Sequence, residues 1–543
     1  MKKAWHASYP ESIPSEVEIP SCSIYHFLER ASQDFPDHLA IIEETMKLTY
    51  IELKHAVDRF AAALHRRGFK RGDRFGIMLY NCKEYIIAYF GVQRLGGIVV
   101  QLNPMYQQHE LNFMLDNSEP AWLICESSQI EKLDALRYRS KLTIVTIDRN
   151  FNENPNHYLY NWIEEENDDL PMLQINNKED IAVLQYTGGT TGTPKGVMIT
   201  HYNTVAAIYH TYITDDGALQ RPCERFFGIF PMFHGAGLML MLSCIFYAGA
   251  YIPIKHFRIS DALCKIRKYR PTQVSAPPTV IVALLNHPDF QEDDLSSLKV
   301  CRSGSAPIPL EVLQAFEKKS GVRISETYGL TESNGIFIRT LLKNKDIRKT
   351  RSVGIPVPNS EVKIVDLETG LKEMPIGECG EILLKGPQIM KGYWKNPEET
   401  NRTLRNGWLY TGDTGLLDED GFLYVVGRKK EMIIAGGYNI YPNEIDEILY
   451  QHPAVAEACT FGIPDAYRGE TVKAAIVVKE QNSLTEEEII KWCRDRLAKY
   501  KIPKQIEFRE QLPKTAVGKI LRRALAEEHL EQIRVSDFTK GKR

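Results

Sequence analysis

Along the first four-fifths of the chain, short apolar runs alternate with segments whose apolar positions recur every three to four residues. Residues 75–79 read as a buried strand, 84–95 as an amphipathic helix, 98–100 as a second strand, 108–115 as a helix and 122–124 as a third strand. Strands and helices in alternation predict parallel sheets covered by helices, since each parallel connection needs a long crossover. Open sheets of this kind bind ligands beyond the carboxyl ends of their strands. The informative loops follow apolar runs ending at Leu184, Cys301 and Ile324. The texture changes near Gly427. After the charged break at Lys429, Lys430 and Glu431, residues 455–461 and 472–478 read as strands, 484–497 as a helix and 505–508 as a short strand. The expected organisation is a large α/β domain of parallel or mixed sheets over residues 1–428 and a small, mobile α+β domain over 429–543. No low-complexity linker separates them, so movement there is a hinge at a few residues.

Composition narrows the classes. At 543 residues the chain exceeds one ordinary core, and 43% apolar with 25% charged residues is a globular balance. A net charge of −3 gives no nucleic-acid footprint. Ten scattered cysteines, without a CxxC pair or a His/Cys cluster, fit a reduced cytoplasmic setting and no zinc. Lys2 and Lys3 open the chain with no apolar stretch behind them, so no secretory signal is expected. Residues 235–254 carry no charge, a length that spans a bilayer. Gly249 and Pro253 punctuate that passage, and Ser243, Tyr247 and Tyr251 interrupt it, so it reads as a buried helix, a turn and a strand. No membrane span is expected; peripheral membrane contact and homodimerisation stay open.

The strongest chemical signal is the loop from Tyr186 to Gly196, which holds Thr187, Gly188, Gly189, Thr190, Thr191, Gly192 and Lys195. Glycines let backbone N–H groups approach an anion, hydroxyls donate hydrogen bonds, and the lysine adds a point charge. That combination predicts a polyphosphate cradle. It is not a Walker A loop, because Pro194 precedes the lysine and Gly196 follows it. Gly304, Ser305, Ala306 and Pro307 offer small residues against which a flat base or a carboxylate can lie. In the run Glu326, Thr327, Tyr328, Gly329, Leu330, Thr331, Glu332, the tyrosine can stack on a purine, Thr331 can bond a phosphate oxygen and Glu332 can hold Mg²⁺. Asp413 and Arg428 suit ribose hydroxyls, and Lys519 stands in a Lys-Thr-x-x-Gly-Lys turn.

Together these segments resemble the adenylate-forming superfamily of AMP-dependent acyl-CoA synthetases, particularly its fatty-acid ligases, from about residue 25 to about residue 530. The resemblance implies a two-lobed fold that converts a fatty acid, Mg²⁺-ATP and coenzyme A into acyl-CoA, AMP and pyrophosphate. It places residues 304–307 on adenine, Glu332 and Thr187 at the metal, Asp413 and Arg428 on ribose, and Lys519 on the carboxylate and α-phosphate. It makes Lys519, Lys195 and Glu332 catalytic, with Glu326, Thr327, Tyr328 and Thr331 at the nucleotide. His234, Gly235, Leu238 and Gly329 become acyl contacts, Gly436, Gly437, Tyr438 and Asn439 the thioester-forming surface, and Lys430 the hinge. Two departures stand out: Ser305 replaces a commoner glycine or alanine, and Gly427 precedes Arg428 where many relatives have aspartate. The segment 386–394 is similar to bacterial long-chain ligases and favours a medium or long acyl chain. Two alternatives remain. A fatty-acyl-AMP ligase serving a carrier protein would carry an insertion not evident between Val353 and Asp413, and a non-catalytic adenylate sensor has no use for Lys519, Lys195 and Glu332 together.

Overall fold

The computed structural model describes residues 3–148, 158–164, 170, 173–187, 194–342, 348–436, 438–465, 467–479, 483–516 and 518–540. The predicted alternation is present. Strand Arg74–Met78, helix Lys83–Arg94, strand Ile98–Gln101, helix Gln108–Ser118 and strand Trp122–Cys125 follow one another, and the first strand lies parallel between the other two. Strand Ile98–Gln101 is buried on both faces, which is why its apolar run does not alternate. The expected amphipathic helix differs from the reading: Lys83–Arg94 buries every residue from Glu84 to Gln93. It packs against helices Tyr25–Asp34 and Tyr50–Arg66 as well as its own strands, and a helix covered on all sides buries all its faces.

Among the described residues two large sheets share one core. The first has seven strands, ordered Gly392–Tyr393, Lys195–Thr200, Ile181–Thr187, Ile98–Gln101, Arg74–Met78, Trp122–Cys125, Thr143–Thr146. The second has nine, and its parallel interior runs Ala250–Pro253, Arg225–Gly228, Gln273–Ala276, Val300–Ser303, Ile324–Tyr328. Parallel pairing sets the loops after Ser303 and Tyr328 side by side at one sheet edge. Strand Ile324–Tyr328 runs through Glu326, Thr327 and Tyr328, which the sequence placed beyond its end. The uncharged passage forms helix Gly235–Phe246, a turn and strand Ala250–Pro253. Among the described residues no helix is long and apolar enough to cross a membrane.

A third, antiparallel sheet joins Glu361–Val365, Gly380–Lys385, Trp408–Leu417 and Leu423–Arg428. Beyond it a separate core forms around Ile433, Ile445, Leu449, Val472, Ala474 and Ile489. Here Val455–Asp465 pairs antiparallel with Gly469–Val478, and Gln505–Phe508 joins that strand in parallel. The fold is therefore a large α/β domain of mixed sheets followed by a small α+β domain.

Candidate active site

Residues Gly188, Gly189, Thr190, Thr191 and Gly192 lie outside the described residues. Their flanks are defined. Thr187 ends one strand and stands opposite Lys195, which opens its antiparallel partner. The threonine-rich segment thus joins the strands of a hairpin, whereas a Walker loop joins a strand to a helix. Lys195 ion-pairs with Glu399, and its Nζ sits 5.3 Å from the centre of the Tyr393 ring. Tyr393 in turn donates from its hydroxyl to Glu332 Oε1 at 2.9 Å. The two-residue strand Gly392–Tyr393 sets this row by pairing with Lys195–Thr200. The sequence reading missed both Tyr393 and Glu399. A strand of two residues leaves no periodic trace, although Asn396-Pro397 does announce the helix Pro397–Thr403 that carries Glu399.

At the neighbouring sheet edge, a Cβ on Gly304 would lie 2.4 Å from Thr327 Oγ1, so only glycine fits between the two strand ends. Thr327 Oγ1 donates to the Ser303 carbonyl at 3.1 Å. Ser305 adopts φ 69°, the left-handed region, which gives the commoner glycine a physical reason. Ser305 and Pro307 are exposed and Ala306 is half-buried. A Cβ on Gly329 would stand 1.8 Å from the Gly335 carbonyl oxygen, so the turn into Thr331 and Glu332 admits no side chain there. Glu326 is pushed up to about 7 by burial, against the opposing charge of Arg348 at 3.7 Å.

Beneath these loops lies a fully buried anion the sequence did not reveal. Asp215 ends the helix His201–Asp215 and takes Arg302 at 2.5 Å, Arg339 at 2.9 Å and the Tyr247 hydroxyl at 2.9 Å. Burial alone would raise its pKa, but the two guanidiniums hold it below the ordinary carboxylate value. Arg302 belongs to the strand before Gly304, and Arg339 pairs in register with Thr327.

Asp413 and Arg428 face each other across an antiparallel pair, with Nε–Oδ1 2.7 Å. The Tyr328 hydroxyl donates to the other oxygen, Asp413 Oδ2, at 2.7 Å. Arg428 thus finds its partner across the hairpin and needs none at position 427. Burial raises Asp413, and Arg428 opposes that. Burial likewise lowers Arg428, but the charges of Asp413, Tyr328, Glu431 and Glu332 leave it raised. Lys519 arrives from the small domain. Its turn is fixed by Thr515 N–H donating to the Lys519 carbonyl at 2.8 Å, and Thr279 Oγ1 of the large domain donates to the Gly518 carbonyl at 3.0 Å. Burial and then Arg428 lower the lysine's pKa, while Glu431 and Asp413 oppose them. Its charge also reaches His234, whose imidazole burial holds down at about 4. His234 is therefore neutral near pH 7, and its Nδ1 accepts from the Ala236 N–H at 3.3 Å.

Of the other acyl candidates, Gly235 packs on the Gln185 amide, where a Cβ would meet Oε1 at 3.0 Å, and Leu238 is buried in the shared core. Among the coenzyme A candidates, Gly437 lies outside the described residues. Gly436 adopts φ 60° and donates its N–H to the Arg468 carbonyl at 2.8 Å. Tyr438, 55% exposed, stacks on Tyr500 at 4.5 Å, and Asn439 is exposed beside it. Around Lys430 the bonds divide. Arg428 and Lys429 hold Asp413 and Glu381 of the third sheet, the latter at 3.1 Å. Glu431 instead pairs with Arg522, which also holds Asp446 at 2.7 Å in the small domain.

Fold and cleft define a two-lobed nucleotide-binding enzyme. The sequence model of the AMP-binding enzyme family matches residues 28–394, that of its C-terminal domain matches 444–519, and the chain belongs to this family. It is 41% identical to a long-chain-fatty-acid–CoA ligase of Bacillus subtilis, over 98% of this chain and 99% of the relative. Among solved structures it is similar to the anthranilate CoA ligase AuaEII in complex with anthranoyl-AMP (30% identity, TM-score 0.85, 94% of this chain and 98% of that one). It is also similar to o-succinylbenzoate CoA synthetase from Bacillus subtilis in complex with ATP and magnesium (30% identity, TM-score 0.77, 92% and 98%).

Proposed function

We propose that the protein is a fatty-acid–CoA ligase that works in two half-reactions about a hinge at Lys430. A fatty carboxylate oxygen bonds to the α-phosphorus of ATP while the bond to pyrophosphate breaks, giving acyl-AMP. The thiolate of coenzyme A then attacks the acyl carbonyl and AMP leaves. The observation that carries this reading is the seat of the small-domain turn bearing Lys519 on the large domain, where Thr279 Oγ1 donates to the Gly518 carbonyl at 3.0 Å and the charges of Arg428 and Asp413 act on the lysine. A cation there meets the incoming carboxylate and the α-phosphate, and charge stabilisation of this kind contributes about 10²–10³ in rate. Neutral His234 adds no further positive charge to that of Arg428, which already acts on the lysine.

Lys195 and the threonines hold the departing pyrophosphate, Asp413 and Arg428 the ribose, and residues 304–307 with Tyr328 the adenine. Among the described residues no cluster of three His, Cys, Asp or Glu side chains is built to hold a metal. That fits Mg²⁺, which rides on substrate phosphates with one or two carboxylates and needs no protein cage. Glu332, with Thr187, would hold it, and when bound it neutralises charge on the phosphate oxygens. Because Arg428 and Lys429 stay with the large domain and Glu431 with the small one, rotation at Lys430 exchanges Lys519 for the exposed surface at Gly436, Tyr438 and Asn439. The uncharged helix Gly235–Phe246, with His234 at its start, would wall an apolar acyl site. All ten cysteines are unpaired, in keeping with a cytoplasmic setting.

The test is product formation across unbranched carboxylates from acetate to palmitate, with soluble coenzyme A as sole acceptor. Acyl-CoA and AMP in equal amounts are expected, with preference for medium or long chains. Acyl-AMP that accumulates without thioester would refute the ligase, and turnover confined to acetate would refute the fatty substrate.

A further inference from the structure

Glu399 is the anion the described residues pair with the Lys195 ammonium, and no step above uses it. The two side chains are 16% and 23% exposed, so the pair is desolvated well beyond an ordinary surface ion pair yet open to solvent on one side. The backbone under Glu399 is pinned. Its N–H donates to Asn396 Oδ1 at 3.1 Å, Thr400 Oγ1 donates to the Asn396 carbonyl at 2.8 Å, and the Tyr393 N–H donates to Thr400 Oγ1 at 2.9 Å. Only the side chain is free to swing. Arg402 stands 3.4 Å from its other oxygen, and Lys430 adds positive charge nearby. Helix-terminal electrostatics do not require this residue, since the adjacent Glu398, exposed in the same first turn, already serves the helix dipole.

A carboxylate on Lys195 and a phosphate oxygen on Lys195 exclude each other, because like charges a few ångströms apart in a partly dry site repel strongly. We propose that Glu399 is a resident anion that occupies Lys195 when no phosphate is bound, and that it promotes pyrophosphate departure by reclaiming the lysine. The inference rests on the reading of Lys195 as a pyrophosphate ligand. On this account each turnover exchanges the lysine between two anions. Triphosphate binding displaces Glu399 toward Arg402 and Lys430, and after the α-phosphorus has been attacked Glu399 returns as the leaving group goes. The lysine is never left as an unpaired, largely buried charge, which would cost free energy.

The test is inhibition by pyrophosphate in the full chain, measured against ATP in fatty-acid-dependent turnover, with the pyrophosphate release rate from a single-turnover experiment. Glu399→Gln keeps the shape and removes the charge. Its inhibition constant for pyrophosphate is expected to fall about tenfold, equivalent to about 1.4 kcal/mol. Release slows in step, while the KM for coenzyme A stays put. Arg402→Gln, which strips a competing cation from Glu399 and tightens its hold on Lys195, is expected to weaken pyrophosphate inhibition. An unchanged or weaker inhibition in Glu399→Gln overturns the proposal, the weaker result making Glu399 a mere positioning residue for Lys195. A Lys195→Ala protein tells the two levels apart: if pyrophosphate affinity ignores that change, the reading of Lys195 itself fails.

Discussion

Asn in place of Asp215 tests whether the buried anion beneath the sheet edge organises the nucleotide loops. The substitution removes one negative charge from between two guanidiniums at 2.5 and 2.9 Å, in a place with no solvent exposure of the aspartate. Breaking one side of a buried pair leaves an uncompensated charge and costs about 3–5 kcal/mol. Unfolding entropy of roughly 2.1 cal/mol/K per residue gives the large domain about 0.9 kcal/mol/K. The expected drop in Tm is therefore about 3–6 °C, read by scanning calorimetry. Kinetics must move selectively. Arg302 anchors the strand before Gly304, and Arg339 pairs with Thr327, so the KM for ATP is expected to rise several-fold while that for coenzyme A holds. A Tm shift below about 1 °C, or equal effects on both substrates, refutes the reasoning.

Lys430→Pro is expected to keep fatty-acid-dependent adenylation and cripple thioester formation in single-turnover assays; equal loss of both would sink the hinge. Glu326 carries a raised pKa of about 7, so the folded chain holds a proton that the unfolded chain releases above its own ordinary value, about 4.3. Stability from this group is complete below that value and lost as pH climbs to 7, so Glu326→Gln should gain on wild type between pH 5 and pH 8, by up to about 3 kcal/mol. A pH-independent difference in thermal denaturation counts against it. Ser305→Gly relieves a left-handed backbone and is expected to stabilise by up to about 1 kcal/mol without lowering turnover, as urea unfolding and initial rates would report. A loss of stability would show that the serine hydroxyl matters more than the strain.

Much of the architecture was legible because buried parallel strands betray themselves as apolar runs between helices. The interval from Arg74 to Cys125 falls within a residue or so of its reading, apart from helix Gln108–Ser118, which runs three residues further. The antiparallel sheet from Glu361 to Arg428 was not, since Gly380–Lys385 is as continuously buried as a parallel strand and pairing direction leaves no local mark. The same limit applies within the cleft. Glycines with a clash to avoid, such as Gly304 and Gly329, were visible as motifs. Partners supplied from far along the chain were not. Tyr393 reaches Glu332 across 61 positions, Glu399 reaches Lys195 across 204, and Arg302 and Arg339 meet Asp215 from separate strands. Long-range closure of that kind is decided by sheet order and carries no spacing rule.

Across the lobes the described contacts near the cleft are modest: Thr279 with Gly518, Arg351 with Glu447 at 2.6 Å, and the Cys379 thiol with the Tyr441 hydroxyl at 3.6 Å. The first of them holds the turn that carries Lys519. On the proposed mechanism the two poses of the smaller lobe then differ by little free energy, so the molecule behaves as a balanced seesaw, tipped by whichever substrate arrives. A change at Glu447 would reset that balance and redistribute time between the half-reactions, whereas one at Thr279 would also loosen the turn that presents Lys519.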